Sequence, residues 1–264
     1  MLRSMYSGIS GMKNFQTKLD VIGNNIANVN TYGFKKGRTT FKDLVSQQIS
    51  GAAAPTNGRG GVNPKQVGLG SQLASIDTVH TQGSLQTTGR PLDLGISGDG
   101  FFEVSDGTNT YYTRAGNFYL DQSGDLVTSD GLFVKDTAGN NINIPVTAQS
   151  FSIGSDGKVN FIDGGTLNPT PQVIKLVKFS NTGGLDKAGS NNYMATTNSG
   201  APTDGAPGDT NGLGVVQAGT LEMSNVDLSE EFTDMIVAQR GFQANTRIIT
   251  TSDEILQELV NLKR

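Results

Sequence analysis

The first thirty residues carry apolar side chains at helical spacing. Successive apolar positions lie three or four residues apart, close to the coiled-coil period: Leu2, Met5, Ile9, Met12, Phe15, Leu19, Ile22, Ile26 and Val29. The spacing predicts an N-terminal helix, and we place this region at residues 1–32. A helix over residues 2–31 would be roughly 45 Å long at 1.5 Å per residue.

The C-terminal region, residues 221–264, shows a second helical pattern. Asp227 is followed three residues later by Glu230, which is typical of a capping box at a helix start. One apolar stripe then repeats every seventh residue: Leu228, Met235, Phe242, Ile249 and Leu256. The companion stripe is mixed: Phe232, Gln239, Thr246, Asp253 and Val260. One pure and one interrupted stripe predict packing against several neighbours rather than a two-stranded zipper.

Between these helices the apolar pattern changes to that of short strands. Apolar runs alternate with Asp-Gly, Ser-Gly and Asn-Gly-type turns, which predicts a β-rich domain at residues 71–220. Segments 46–66 and 198–212 are rich in Gly, Pro, Ala and Asn, so we expect loops there and an extended joint over residues 33–70. The fold class is α+β, mainly β, with both terminal helices in a coiled-coil layer.

Composition and charge exclude several functions. The 35 glycines among 264 residues are about twice the usual share and favour turn-rich β structure. The net charge of −4 argues against a nucleic-acid partner. Lys35, Lys36 and Arg38 form the only tight basic cluster, which we interpret as a solvated helix end. The chain contains no Cys, so it has no disulfide, thiolate nucleophile or Cys-ligated metal.

No motif predicts catalysis. His80 is the only histidine, so it cannot build a multi-histidine site, and we expect it at a strand end. Residues 121–132 resemble a calcium loop but carry Leu126 and Leu132 where Gly and Glu are required, so a hairpin turn fits better. The paired carboxylates near residues 230 and 253 look like ordinary helix charges. We predict no enzyme activity, no cofactor, no metal and no small-molecule substrate.

Four long motifs resemble one known family. Residues 24–36 (NNIANVNTYGFKK), 88–104 (TGRPLDLGISGDGFFEV), 112–127 (YTRAGNFYLDQSGDLV) and 221–263 are similar to segments of the bacterial flagellar rod and hook proteins. Together they span most of the chain. Segments 46–66 and about 140–200 match weakly.

This resemblance implies a subunit that self-assembles into a hollow helical tube, with its terminal helices inside and its β domain outside. It also implies export by the flagellar type III apparatus without a cleaved signal, and a location in the hook or basal body outside the cytoplasmic membrane. The sequence shows neither a Sec-type apolar run nor a stretch of ~20 apolar residues, and both observations agree with this export route. The implied partners are a rod protein below, the hook–filament junction protein above, the hook cap scaffold and the export apparatus.

Within the family, two members fit best. The segment VGLGSQLASI and the residues Phe232, Phe242, Gln243 and Ala244 look hook-like, so we expect a bendable hook subunit that transmits torque from rod to filament. The chain is short for a hook protein, however, and the alternative is a distal rod subunit of the basal body. A non-flagellar extracellular fibre or adhesin would need a Sec signal or repeated β motifs, and neither is visible.

The residues expected at subunit contacts lie on both helices. Asn24 and Asn28 are i, i+4 neighbours on the polar side of the first helix, where amides can bond a neighbouring subunit and fix register. Asn30 and Gly33 are expected to be turn or cap residues. The predicted contact set is Leu2, Met5, Ile9, Met12, Leu19, Ile22, Asn24, Asn25, Ile26, Asn28, Leu228, Phe232, Met235, Phe242, Ile249 and Leu256.

Overall fold

A computed structural model of the chain describes residues 2–55, 58 and 60–262. It confirms the two terminal helices and the β-rich region between them. The chain divides into two compact units. The helical unit takes the described residues of Met1–Ala27, Gly37–Asp77 and Asp227–Arg264, and the β unit takes Asn28–Lys36 and Thr78–Val226.

The helical unit contains both helices and a strand arm. Its elements in chain order are α1 (Leu2–Ala27), β1 (Gly37–Asp43), β2 (Gln47–Ser50), β3 (Lys65–Val67), β4 (Ser71–Thr78) and α2 (Leu228–Asn261). β1 pairs with β4, and β2 pairs with β3 in antiparallel register. A further bridge joins Ala53 and Val62. The segment predicted as an extended joint therefore contains three strands, each held by a partner strand.

The helix ends follow local capping chemistry. The Asp227 side chain caps α2 by accepting hydrogen bonds from the backbone N–H groups of Ser229 and Glu230, at 2.8 and 3.4 Å. α1 ends at Ala27, earlier than its apolar spacing predicted. The chain then turns through Asn28 and Thr31, whose backbone groups are bonded at 3.1 Å. Asn is a weak helix interior residue, so the helix stops where the asparagines accumulate.

α1 and α2 pack antiparallel at close range. A Cβ on Gly241 would lie 2.5 Å from the ring of Phe15, and a Cβ on Gly11 would lie 2.7 Å from the side chain of Asn245. The buried residues of α2 are small or polar: Glu231, Ala238 and Ser252. Each lies one residue before a position of the predicted companion stripe, which starts at Phe232, and the members of that stripe are exposed. Short side chains occupy the seam because larger ones would separate the helices.

The β unit is built from short strands. In chain order these are β5 (Leu85–Thr87), β6 (Leu94–Ser97), β7 (Phe101–Ser105), β8 (Thr110–Thr113), β9 (Tyr119–Leu120), β10 (Leu126–Val127), β11 (Phe133–Val134), β12 (Ser150–Ile153), β13 (Lys158–Asp163), β14 (Thr166–Leu167), β15 (Gln172–Val173), β16 (Leu176–Lys178), β17 (Asp186–Gly189), β18 (Asn192–Met194), β19 (Thr203–Gly205), β20 (Val215–Ala218) and β21 (Thr220–Glu222). A single 3₁₀ turn, Thr182–Gly184, interrupts the described strands of this unit.

The main sheet of the β unit is antiparallel and branches at β7. Its strand order is β17–β18–β8–β7–β11–β10–β9, and β16 joins β7 and carries β19 on its other side. A smaller sheet orders β12–β13–β14, with β15 beside β13. β20 pairs with β6, and β21 pairs with β5. Inward side chains of these strands and their connections form a large core, which includes Phe102, Phe118 and Leu126, and a second, smaller cluster around Phe101 and Phe179.

Two local predictions within the β unit can be compared directly with the structure. Residues 121–125 form the turn of a hairpin between β9 and β10, in which the Asp121 carboxylate accepts hydrogen bonds from the backbone of Ser123 and Asp125. Gly33 has a φ of +69°, and a Cβ there would lie 2.6 Å from the backbone nitrogen of Ala115. Glycine is therefore required at this turn.

Candidate assembly interface

Asn25 joins three parts of the helical unit. Its Nδ2 donates to the carbonyl of Gly37 at 2.9 Å, and its Oδ1 accepts from the N–H of Gly37 at 2.9 Å. The same Nδ2 also donates to Oε2 of Glu231 at 3.2 Å. An amide has the donors and the acceptor needed to mimic a backbone partner and still reach a carboxylate. The asparagine thus fastens the end of α1 to the start of β1 and to the first turn of α2.

The asparagines at the end of α1 lie in different surroundings. Asn25 is only 2% exposed and uses its amide within the chain, so we leave it out of the assembly surface proposed below. Asn24 is exposed and Asn28 is half-buried. The Oδ1 of Asn28 accepts a hydrogen bond from the hydroxyl of Thr31 at 3.1 Å. The run of asparagines is therefore largely explained by the end of α1 and the turn that follows it.

A buried ionic cluster lies in the β unit around Glu222, whose side chain is fully shielded from solvent. Lys35 Nζ lies 2.5 Å from Oε1 and also donates to the carbonyl of Thr81 at 2.8 Å. Arg114 Nη1 lies 3.1 Å from Oε2, and its Nη2 donates to the carbonyl of Gly98 at 2.9 Å. The N–H of Gly83 completes the shell at 2.9 Å from Oε1. Both carboxylate oxygens thus have hydrogen-bond partners, as a buried charge requires.

The interpretation of the basic cluster as a solvated helix end was wrong for Lys35. Its side chain is 1% exposed and belongs to the Glu222 cluster. Burial lowers the pKa of Lys35, and the Glu222 carboxylate opposes that shift. Arg38, in the helical unit, is exposed and pairs with Asp77 at 3.4 Å. The local charge pattern misled because the partner of Lys35 is 187 positions away in the chain.

The cluster also fixes the chain on either side of it. The N–H of Gly33 donates to the carbonyl of Glu222 at 2.8 Å. The N–H of Lys36 donates to Oδ1 of Asn225 at 2.8 Å, and the Asn225 amide donates to the carbonyl of Val79 at 2.8 Å. The segment that follows α1 and the segment that precedes α2 are therefore tied together within the β unit.

His80 lies beside this cluster, two residues after the end of β4. Its ring packs edge-on against Phe101 and Tyr193, with centroids 5.8 and 5.4 Å away. Burial lowers the pKa of His80 to about 4, and the positive charges of Lys35 and Arg114 add to the shift. The imidazole is therefore neutral at physiological pH and contributes as an aromatic packing group.

The predicted apolar stripe of α2 is used mainly within the chain. Met235, Phe242, Ile249 and Leu256 are half-buried, and the Ile249 side chain lies over Gly8 of α1. Leu228 and Phe232, at the start of α2, are exposed. On α1, Met5, Met12, Leu19 and Ile26 are half-buried, Ile22 is buried and Ile9 is exposed. The side chain of Leu2 lies outside the described part of the chain.

A second stripe of α2 carries apolar side chains that the described chain does not cover. We call Val237, Ile248, Ile255 and Leu259 the second stripe; their exposed fractions are 44–55%. Steps of eleven, seven and four residues place them on one helix face. The most regular heptad of α2 lies on a different helix face, so periodicity alone did not identify this one. Aligned exposed apolar residues of this kind mark interaction surfaces.

The described residues were also compared with the requirements of a metal site and of a membrane-spanning helix. They hold no group of three or more His, Asp and Glu side chains arranged to bind a metal ion. Neither described helix has the long apolar stretch needed to cross a membrane.

Comparison with known families covers three regions of the chain. Residues 5–35 match the model described as "Flagella basal body rod protein". Residues 95–161 match "Flagellar hook protein FlgE/F/G D1 domain", and residues 217–262 match "Flagellar basal body rod FlgEFG protein C-terminal". These regions contain α1, much of the β unit, and α2.

Individual relatives cover the whole chain. The flagellar basal-body rod protein FlgG of Bacillus subtilis (strain 168) is 63% identical over 265 positions, covering all of both chains. The flagellar hook protein FlgE of Borreliella burgdorferi is 33% identical over an alignment of 442 positions, again covering all of both chains. FlgG of Agrobacterium fabrum is 40% identical over 259 positions, covering 96% of this chain and 97% of its own length.

The fold has two long terminal helices with a β-rich unit between them in the chain. The chain belongs to the family of bacterial flagellar rod and hook proteins. Members of this family are structural subunits of the flagellar axis.

The Glu222 cluster generates a stability prediction. Glu222→Gln keeps the side-chain shape but leaves Lys35 and Arg114 as buried cations without a carboxylate. Breaking a buried pair in this way costs about 3–5 kcal/mol, measurable as a lower free energy of unfolding in urea. Asp156→Asn is the control, because its pair with Lys158 is about half exposed and is worth at most about 1 kcal/mol.

A double variant separates charge from packing in that experiment. Adding Lys35→Met to Glu222→Gln removes one of the two unbalanced cations, so part of the lost stability should return. Equal losses for Glu222→Gln and Asp156→Asn, or no recovery in the double variant, would contradict the role assigned to the cluster.

His80 generates a pH prediction. The unfolded chain protonates this residue below about pH 6.5, whereas the folded chain resists protonation until about pH 4. Stability should therefore fall as the pH drops from 6.5 to 4, by up to about 3 kcal/mol from this residue. His80→Phe should lose less stability over the same interval. Parallel urea titrations at several pH values measure the difference; identical pH profiles would show that His80 does not contribute.

Proposed function

We propose that this chain is a distal rod subunit of the flagellar basal body rather than a hook subunit. The supporting observation is full-length agreement with a rod protein: 63% identity to Bacillus subtilis FlgG, with both chains covered completely. The hook relative agrees at 33%, over an alignment that must extend to 442 positions, so that hook protein is much longer than this chain. The hook-like residues Phe232, Phe242, Gln243 and Ala244 are short local signals and weigh less than agreement along the whole chain.

We further propose that the subunit forms a homopolymer through its helices. The second stripe of α2 supports this, because its apolar side chains gain free energy only when another surface removes them from water. Phe232 and Ile236 add exposed apolar area near the start of the same helix. Copies of the chain packed side by side would supply the missing cover. The polymer would have a structural role and no catalytic activity.

The proposal also covers export, location and neighbours. The subunit would leave the cell through the flagellar type III apparatus without a cleaved signal and would assemble outside the cytoplasmic membrane. As a distal rod subunit it would contact another rod protein on one side and the hook on the other. The hook–filament junction protein and the hook cap scaffold, expected for a hook subunit, would then not be its direct neighbours.

Substitution in the second stripe tests the assembly surface. Ile255→Asp should leave the isolated monomer folded, because this side chain is already exposed. In the polymer it should bury an unpaired carboxylate at a cost of several kcal/mol, so rods should be lost. The measurements are circular dichroism of the monomer and electron microscopy of basal bodies. Asn140→Asp, which adds the same charge at an exposed turn of the β unit, is the control; normal rods with Ile255→Asp would contradict the proposal.

A deletion strain tests rod against hook. Without a distal rod subunit, the growing structure should stop early, so purified basal bodies should show shortened rods and no hooks. Restoring the gene should restore both. Complete rods that merely lack hooks would instead assign this chain to the hook. Electron microscopy of basal bodies from the deleted and restored strains distinguishes the two results.

A further inference from the structure

A cavity of about 250 Å³ opens on the β unit beside the Glu222 cluster. The exposed residues Asp99 and Ser180 line it together with the buried side chains of Phe101 and Arg114. Arg114 also belongs to the Glu222 cluster, so the cavity lies between that cluster and the surface of the β unit. Since one water takes up about 30 Å³ of liquid, the volume has room for several waters or one small polar group. We call it the Arg114 cavity.

Two side chains on the wall of the Arg114 cavity each hold a buried nitrogen without a hydrogen-bond partner. These atoms are Nδ1 of His80 and Nε of Arg114, and they are the only such side-chain atoms among the described residues. The other guanidinium nitrogens are occupied, since Nη1 bonds Glu222 and Nη2 bonds the carbonyl of Gly98. Both side chains pack on Phe101, with the His80 ring 5.8 Å and the Arg114 Cζ 5.4 Å from its ring centre. A buried donor without an acceptor is unusual and destabilising.

The Glu222 cluster holds more positive than negative charge. Two cations, Lys35 and Arg114, face the single carboxylate of Glu222. The pKa of His80 reflects the same imbalance. Burial lowers it to about 4, and the positive charges of Lys35, Arg114 and Lys187 add to the shift. A partly enclosed site beside such charges attracts an anion, because the low dielectric around it screens the attraction less than water does.

The arrangement also defines the chemistry of that anion. The Nε of Arg114 is a permanent donor, and Nδ1 of a neutral His80 donates when it carries the imidazole proton. Lys178 lies on the cavity wall but pairs with Asp99 at 3.0 Å, so this pair adds no net charge. An anion with one charge and two acceptor atoms therefore fits best. A carboxylate has both, whereas a phosphate monoester would bring up to about two charges.

We propose that the Arg114 cavity binds a carboxylate group, whose two oxygens accept hydrogen bonds from Nε of Arg114 and Nδ1 of His80. Both nitrogens are shielded from water, so a side-chain rotation opens the wall when the carboxylate enters, as is common on binding. The carboxylate belongs either to a small organic acid or to an acidic side chain of a second copy of the chain. The two sources offer the same chemistry to the cavity and differ in what their binding depends on.

The test uses the full chain labelled with ¹⁵N and titrated with sodium acetate, beside sodium chloride at the same concentrations. His80 is the only histidine, so its ring nitrogens are assigned without ambiguity. Arg114 has the only buried arginine side chain among the described residues, so slow exchange with water identifies its Nε–H signal. Acetate should shift both signals saturably, with the imidazole proton on Nδ1, and chloride should not.

Variants at His80 show whether its ring nitrogen takes part. His80→Phe keeps an aromatic ring against Phe101 but removes the donor, so the acetate affinity, measured on the Arg114 Nε–H signal, should fall about tenfold. His80→Asn carries an amide N–H close to the position of Nδ1 and should retain more of the affinity. Asn140→Ala, at an exposed turn elsewhere in the β unit, should leave the affinity unchanged.

The source of the carboxylate follows from the same signals. Shifts with acetate alone indicate a free organic acid, and shifts that grow with protein concentration and compete with acetate indicate a second copy. The absence of saturable shifts in both series, or equal shifts with chloride, would overturn the proposal. So would an imidazole proton on Nε2 with Nδ1 coupled across a hydrogen bond to Nε of Arg114, because the two side chains would then bond each other. The acetate series needs no rod formation, so its result is independent of the proposed function.

Discussion

The carboxylate of Glu222 is the constraint around which the β unit is organised. It is removed from solvent, and two cations with several backbone groups hold it in place. Taking such charges out of water is costly, and an apolar replacement is often no less stable. What an ionic cluster adds is geometry, because only one arrangement satisfies both oxygens. Here that arrangement joins the segment after α1 to the strand before α2, so the cluster fixes where the two terminal segments enter the β unit.

The helical unit uses polar groups in a similar way. Asn25 bonds Gly37 and Glu231, while Ala238 and Ser252 allow α2 to approach α1 closely. Amides, glycines and small side chains in the seam give a defined register, and the half-buried apolar side chains beside them supply apolar burial, which is the main stabilising contribution. The apolar side chains of the second stripe remain uncovered. In the proposed homopolymer, further copies of the chain would cover this face and add to the stability of the helix pair.

The sequence predicted those features that depend on local chemistry. Periodicity located both helices, Asp227 marked the start of α2, and turn residues indicated the hairpin at 121–132. The end of α1 was less predictable, because Ile26 and Val29 continue the apolar spacing while the asparagines favour a turn. The environment of Lys35 could not be inferred locally, since its charge looks the same whether it faces water or a carboxylate 187 positions away. Apolar periodicity does not distinguish the side chains of α2 that pack against α1 from those that stay exposed. Only the packing of the two helices shows which are which.

The choice between rod and hook shows a related limit. A hook must bend and a rod must not, yet both are built from the same helical seams and β motifs, so periodicity carries no direct signal of stiffness. In the sequence interpretation, short hook-like motifs were therefore given more weight than the length of the chain, and a hook subunit was expected. Full-length identity to a rod protein of the same length supports the rod assignment proposed above. A hook protein with an additional outer region would keep the shared motifs but would have a longer chain. The pairing of β1 with β4 and of β2 with β3 gives these strands backbone hydrogen bonds that an extended joint would lack. The strands within the segment predicted as an extended joint are thus tied to partner strands, which agrees with the stiff rod subunit proposed above.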